Sequence, residues 1–217
     1  MTATQIKSEG MGKLKEVSLI APREVVLSAR AVMGAIDLDP YGTVDGNRLI
    51  QAARYYNRDQ EEVDDICSRE WGTSVGKTRV FLAPVGGARP SRRLLNKALR
   101  DYRDGSISEC VIWLPHNESL IRLPWVWNFP ICVPYRRFRP SWWDDETDEF
   151  RTVSPAFWSP VIYLPPTETP QLYQEKLMRF HAVFTSLGRV VLDESSGEDT
   201  WEEAYAAMTG GYFNYRA

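Results

Sequence analysis

The stretch that most constrains the fold is residues 78–87, TRVFLAPVGG. Residues 79–83 read as a buried strand, with Val80, Phe81 and Leu82 in one short apolar run. A proline and two glycines follow, and then a basic, helix-patterned run over residues 91–103. A strand that ends in a Pro/Gly turn ahead of a helix sets backbone at the carboxyl edge of a sheet. Open α/β folds hold their ligands at that edge. Taken alone, the same pattern also describes an ordinary βα loop.

The rest of the chain repeats this alternation. Residues 22–33 predict a helix, with Pro22 in the first turn and Val25, Val26, Ala29 and Val32 at helical spacing. Gly34 is its C-terminal stop. Residues 35–38 read as a short strand, residues 39–42 as a turn and residues 46–56 as a helix. Ser91 is placed to cap a helix that runs to Tyr102, with Leu94, Leu95 and Ala98 as its apolar stripe. Residues 109–114, 130–134 and 161–164 read as strands. Residues 170–187 form a strong helical pattern, followed by a strand at 189–192 and a last helix at 200–208. Strands alternating with helices predict an α/β fold with a mainly parallel central sheet and helices on both faces.

A chain of 217 residues, 43% hydrophobic, buries one substantial core, so residues 17–217 are expected to form a single domain behind a loose tail, residues 1–16. The formal net charge of -3 argues against a protein coated in basic surface, and leaves room for a local basic groove. Three cysteines, Cys67, Cys110 and Cys132, are widely spaced and show neither zinc-ligand spacing nor a disulfide framework. No metal is expected. No run is long enough to span a bilayer, no apolar signal core opens the chain, and a cytoplasmic protein with no membrane partner is expected.

The pairing of residues 35–40, AIDLDP, with the strand and turn some forty residues later carries a family resemblance. It resembles the phage-type adenine-specific DNA methyltransferases, in which a segment close to Ile-Asp-Leu-Asp-Pro precedes a strand ending in Asn/Asp-Pro-Pro-Tyr. The resemblance covers residues 22–165 and implies a Rossmann-like methyltransferase fold. It implies S-adenosylmethionine as cofactor, held by Asp37, Asp39 and Pro40, and DNA as partner. In the family, the Asn/Asp side chain and a proline carbonyl hold the target amine, and the aromatic ring stacks on the flipped base. Here that motif reads Ala83-Pro84-Val85-Gly86. Only the Pro84 carbonyl survives of the catalytic set. Loss of one positioned acceptor commonly costs ~10²–10³ in rate, so impaired base methylation is expected.

Read from the residues, Asp37 and Asp39 flank Leu38 and alternate to one side of a strand. They suit either hydrogen bonds to a nucleoside or local capping of a turn. Arg93, Lys97 and Arg100 share one helical stripe, fit either to phosphates or to solvent. Arg136, Arg137 and Arg139 form a second basic cluster beside Tyr135 and Phe138. His116 follows a strand and reads as a turn residue with acid–base capacity. Residues 141–150 form an acidic insertion with Trp142 and Trp143, expected as a mobile loop that either meets a protein partner or packs back on the domain. Three functions follow as alternatives: a catalytically impaired methyltransferase-like protein, an active enzyme with a divergent acceptor, and a non-enzymatic interaction or inhibitory module.

Overall fold

The computed structural model describes residues 4–7, 14–73, 78–85, 88–115, 120, 122–155 and 158–192. Within the stretch read as a tail, β1 (Thr4–Lys7) pairs antiparallel with β2 (Leu14–Val17). The domain proper begins with α1 (Arg23–Met33), which buries Val25, Val26, Ala29, Val32 and Met33. Pro22 precedes its first turn, and Gly34, at φ +87°, closes it by donating its N–H to the Arg30 carbonyl. That left-handed backbone is where glycine carries no Cβ penalty.

The chain then runs through β3 (Leu38–Gly42), α2 (Val44–Ile50), β4 (Arg54–Asn57), α3 (Val63–Ser68) and β5 (Arg79–Leu82). It continues through α4 (Ala88–Arg103), β6 (Glu109–Trp113), a 3₁₀ turn (Pro124–Asn128), β7 (Ile131–Pro134) and the hairpin β8 (Ser141–Asp144) and β9 (Glu149–Thr152). It closes with β10 (Val161–Leu164), α5 (Pro170–Phe184) and β11 (Gly188–Val191). The predicted last helix, residues 200–208, lies outside the described residues.

Seven strands form one sheet in the order β11-β7-β10-β6-β5-β3-β4. β4, β3, β5 and β6 run parallel to one another; β10 is antiparallel to β6 and to β7, and β11 is antiparallel to β7. The sheet is therefore mixed, and the mainly parallel sheet expected from the sequence holds for the first half only. β10 enters between β6 and β7 with reversed direction, an arrangement that periodicity within a strand cannot report. β3, β5 and β6 are adjacent and parallel, in that order, but of the segment expected as the first strand, residues 35–38, only Leu38 lies in β3.

Helices cover both faces. Val80, Leu82, Cys110, Ile112 and Ile162 point into a core with α4, Trp71 and the 3₁₀ turn. Phe81, Val111, Trp113, Val161 and Tyr163 point the other way, against α1, α2 and α5. This alternation is the period-2 geometry of strands buried on both sides, and explains why their sequences are continuously apolar. On the second face Phe180 stacks on Tyr163 at 4.8 Å and meets Phe184 at 4.5 Å.

Two assignments from the sequence shift. The first sheet strand is Leu38–Gly42, so the predicted turn at 39–42 is strand. The predicted helix at 46–56 ends at Ile50 and gives way to β4. The first follows from Pro40 and Gly42, which read as turn formers; the second from Gln51, whose left-handed backbone at φ +54° ends α2. Pro40 instead sits at a register shift: β3 pairs with β5 only at Leu38–Val80, and its register with β4 slips between Asp39 and Gly42. A proline without an N–H is tolerated inside a sheet at such irregularities. β3 and β5 therefore part at their carboxyl ends.

Candidate functional site

The parting of β3 and β5 coincides with the reversal of winding. The chain moves from β3 outward to β4, then returns past β3 to β5 and β6. That makes the β3/β5 boundary a topological switch point, where open α/β sheets bind ligands. Asp39 lies in this crevice at 1% exposure. Its Oδ1 accepts the Tyr41 amide at 3.1 Å. Its Oδ2 has no hydrogen-bond partner among the described residues. Burial pushes the Asp39 carboxyl up to about 7, against the opposing pull of the Tyr41 amide and the Arg58 charge.

Gly42 makes room for this carboxyl. A Cβ there would stand 2.7 Å from Asp39 Oδ2. The Thr43 hydroxyl caps α2 by accepting the Gly46 amide at 2.8 Å. Over the crevice runs a strap, residues 18–21, joined to the start of β8 by two bonds, Ile20 N to Ser141 O at 2.7 Å and Ser141 N to Ile20 O at 3.0 Å. Arg58 holds the strap from the other side. Its guanidinium donates to the Leu19 carbonyl, to Ser18 Oγ at 2.9 Å and to the Tyr41 carbonyl at 3.4 Å. The enclosed space is ≈ 10 Å³, lined by Ile20, Asp39, Tyr41, Arg58 and Ala83 among others. One water fills such a volume.

The facing wall is the turn after β5. The Val85 amide bonds the Ala83 carbonyl at 2.8 Å. The Pro84 carbonyl accepts the Ser91 hydroxyl at 2.8 Å. Ser91 is thus inside α4 and serves the turn; it is not the helix cap that the sequence suggested. Gly86 lies outside the described residues.

The other expected site residues are dispersed. Asp37 precedes β3, and its carboxylate is forked to Arg79 by two 2.8 Å bonds, Nε to Oδ2 and Nη2 to Oδ1. The guanidinium holds the Asp37 carboxyl below the usual carboxylate range. Asp37 therefore works at the start of the strand, and Asp39 alone enters the crevice. On α4, Arg93 pairs with Asp64, and Arg100, 66% exposed, lies 3.7 Å from Asp101. Lys97 turns inward at 10% exposure, paired with Asp101, its ammonium 5.6 Å from the centroid of the Trp71 ring. Arg136, Arg137 and Arg139 are exposed after β7. His116 lies outside the described residues. The acidic insertion is the β8–β9 hairpin, not a loop. Trp143 packs edge-on to Phe150 at 4.8 Å, with Arg48 4.5 Å from its ring centroid. Among the described residues, no cluster of His, Cys, Asp and Glu is arranged to hold a metal ion, and no helix is long and apolar enough to cross a membrane.

The sequence reading missed Arg58, hidden behind a strand taken for helix, and a buried network at the opposite edge. There Lys176 Nζ bonds both Glu109 oxygens and the Val32 carbonyl, each at 3.1 Å, and the Tyr163 hydroxyl donates to Glu109. A lone glutamate opening an apolar strand was its only trace.

These features define an α/β domain with a closed polar crevice at the sheet's switch point. The chain matches no protein-family model, no curated protein and no solved structure.

The crevice bears on S-adenosylmethionine directly. Ligand pockets run to ~300–1,000 Å³, whereas the strap and Arg58 leave only ≈ 10 Å³ beside Asp39. In this closed arrangement the residues do not fit the cofactor.

Proposed function

We propose that the chain is a phage-type adenine-specific DNA methyltransferase-like protein, built on a Rossmann-like frame, that has lost base methylation. The observation that carries this reading is the turn after β5. Methylating an exocyclic amine needs acceptors that hold the amine while its lone pair attacks. Ala83 supplies no side-chain acceptor, its carbonyl accepts the Val85 amide, and the Pro84 carbonyl already accepts the Ser91 hydroxyl. The narrow crevice beside Asp39 supports the same reading from the cofactor side.

The function left to such a protein is contact with nucleic acid. α4 starts at the crevice and carries Arg89, Arg92, Arg93, Arg100 and Arg103 on exposed positions. The loop with Arg136, Arg137 and Arg139 follows β7, whose carboxyl end lies on the same edge of the sheet as those of β3 and β5. These guanidinium groups suit phosphates and give salt-sensitive, sequence-independent binding.

Two assays test the reading. Radiolabelled S-adenosylmethionine with single- and double-stranded DNA and RNA is expected to yield no protein-dependent label transfer. Robust transfer to a base amine sinks the loss of methylation. Titration of duplex DNA at several salt concentrations is expected to show binding that weakens steeply with salt. Absence of binding at 50 mM salt removes the nucleic-acid role.

A further inference from the structure

Among the described residues the strap over Asp39 is held by a handful of hydrogen bonds, including Ser18 Oγ to Asp59 Oδ1 at 3.5 Å, and by the burial of Ile20 and Ala21. Residues 18–21 meet the hairpin through the Ile20–Ser141 pair and meet Arg58 through the Leu19 carbonyl and Ser18 Oγ. Beneath them lies a carboxyl with one oxygen unpartnered among the described residues, in a space for one water. Arg58 stands between the two. Among the described residues its hydrogen bonds go to the strap and to Tyr41, and none to Asp39.

We propose that residues 18–21 are a gate, closed over a neutral Asp39 and opened by its ionisation. The reason is solvation. A carboxylate without a hydrogen-bond partner for one oxygen is costly to bury. The closed crevice therefore holds the proton on Asp39. Opening the strap admits water, and it frees Arg58 to turn from the Leu19 carbonyl to Asp39 Oδ2. A switch-point crevice that is too small for a ligand when closed becomes accessible when Asp39 carries charge. The gate makes no use of methyl transfer and does not depend on the proposed function.

The other charges around Asp39 leave this control with it. From the turn after β4 come Arg58 and, beside it, Asp59. Glu62 acts on Tyr41 from the same side. Thr43, Gly46 and Ile50 of the α2 segment, Ala83 after β5, and Leu19, Ile20 and Ala21 of the strap bring no charge to the cavity.

The magnitude follows from linkage. With the closed-state carboxyl at about 7 and a solvated one at ~3.9, the opening constant rises by up to ~10³ between about pH 4 and pH 7 and is flat above. The amide of Ile20, bonded to Ser141 in the closed gate, reports it by hydrogen exchange corrected for the intrinsic pH dependence.

The experiment compares the full chain with Asp39→Asn and Arg58→Met from pH 4 to 8, using the Phe81 amide as a core control. In the wild type, Ile20 protection is expected to fall up to ~10³-fold with pH while Phe81 stays protected. Asp39→Asn is expected to abolish the slope. Arg58→Met is expected to lower Ile20 protection at every pH. A ¹³C carboxyl titration of the wild type, which needs no variant, is expected to give an Asp39 midpoint that coincides with the plateau of Ile20 opening. A pH-independent Ile20, exchange of Ile20 and Phe81 together, a slope that survives Asp39→Asn, or an Asp39 midpoint near 4 each overturns the gate.

Discussion

The Ser91 hydroxyl donates a 2.8 Å hydrogen bond to the Pro84 carbonyl, and so joins the second turn of α4 to the turn after β5. Both residues are buried. Ser91→Ala leaves that carbonyl without this donor and is expected to cost ~1–3 kcal/mol, read from the urea midpoint. It is not expected to create methyl-transfer activity, because Ala83 still offers no side-chain acceptor. On the proposed reading Ala83→Asn alone is likewise expected to remain inactive, since it restores one acceptor and no aromatic ring to residues 83–86.

Gly42 and Asp39 are fitted to each other. Gly42→Ala puts a methyl 2.7 Å from Asp39 Oδ2 and 3.2 Å from Tyr55 Cβ. Overpacking of this kind costs ~1–3 kcal/mol. The carboxylate contact is the shorter, so Asp39→Ala is expected to recover part of the loss. A double-mutant cycle by chemical denaturation measures this, with a coupling of at least ~0.5 kcal/mol expected for groups in contact. Simple additivity of the two changes would show that Tyr55 sets the cost.

How much of this was legible beforehand depends on what carries each feature. The apolar runs at Val80–Leu82 and Val111–Trp113 report burial on both faces, so the strands and the helices around them can be read from periodicity. Strand order cannot. Nothing local in Val161–Leu164 says that it runs antiparallel between β6 and β7. Pro40 and Gly42 carry ordinary turn signatures, yet here they open a strand beside a crevice. The local pattern singles out Asp39, which the structure buries in the crevice, whereas Arg58 meets Leu19 only across 39 residues of sequence. Asp37 has the same local pattern as Asp39, and only Arg79, 42 residues away, separates their roles.

Asp39 also makes stability depend on pH. Its carboxyl is raised to about 7 in the folded chain, against ~3.9 when unfolded. The folded state therefore binds more protons between these values, and stability falls as pH rises through them. The stabilisation is fully present below about pH 4 and is lost by about pH 7, at up to ~1.4 kcal/mol per pH unit. Asp39→Asn removes the titrating group. Its melting temperature relative to the wild type is expected to be higher at pH 8 than at pH 5. An unchanged difference across that range would place the carboxyl in solvent.

The Glu109–Lys176 pair predicts a different response. The side chains are 3% and 13% exposed. Lys176→Met strands a buried carboxylate and frees the Val32 carbonyl at the end of α1. Breaking a buried pair from one side typically costs ~3–5 kcal/mol. Burial already raises the Glu109 carboxyl, while Tyr163 and Lys176 lower it. Without Lys176 it rises further, so the destabilisation is expected to shrink as pH falls and Glu109 takes a proton. Glu109→Gln with Lys176→Met is expected to recover much of the loss. Equal destabilisation at pH 5 and pH 8 would mean that Lys176 acts through packing alone.

The α4 stripe separates a solvent-facing charge from a structural one. Arg100 is 66% exposed, whereas Lys97 is 10% exposed and paired with an Asp101 that is 4% exposed. Reversal at the two positions should therefore divide cleanly. Arg100→Glu is expected to leave the melting temperature within a degree or two and to weaken DNA binding alike across sequences. Its salt dependence, as log K against log salt, should flatten by about 1 for each phosphate that the variant no longer neutralises. Lys97→Glu sets a second carboxylate against Asp101 beside Trp71 and is expected to destabilise the fold by several kcal/mol, as an unpaired buried charge does. Arg93 is intermediate, because its partner Asp64 lies on α3 and is itself 63% exposed. Arg93→Glu is expected to weaken DNA binding with little change in melting temperature. If Arg100→Glu and Arg93→Glu both leave affinity and salt slope unchanged, this face of α4 is solvated surface, and the proposed phosphate contacts are left to Arg136, Arg137 and Arg139 at the carboxyl edge.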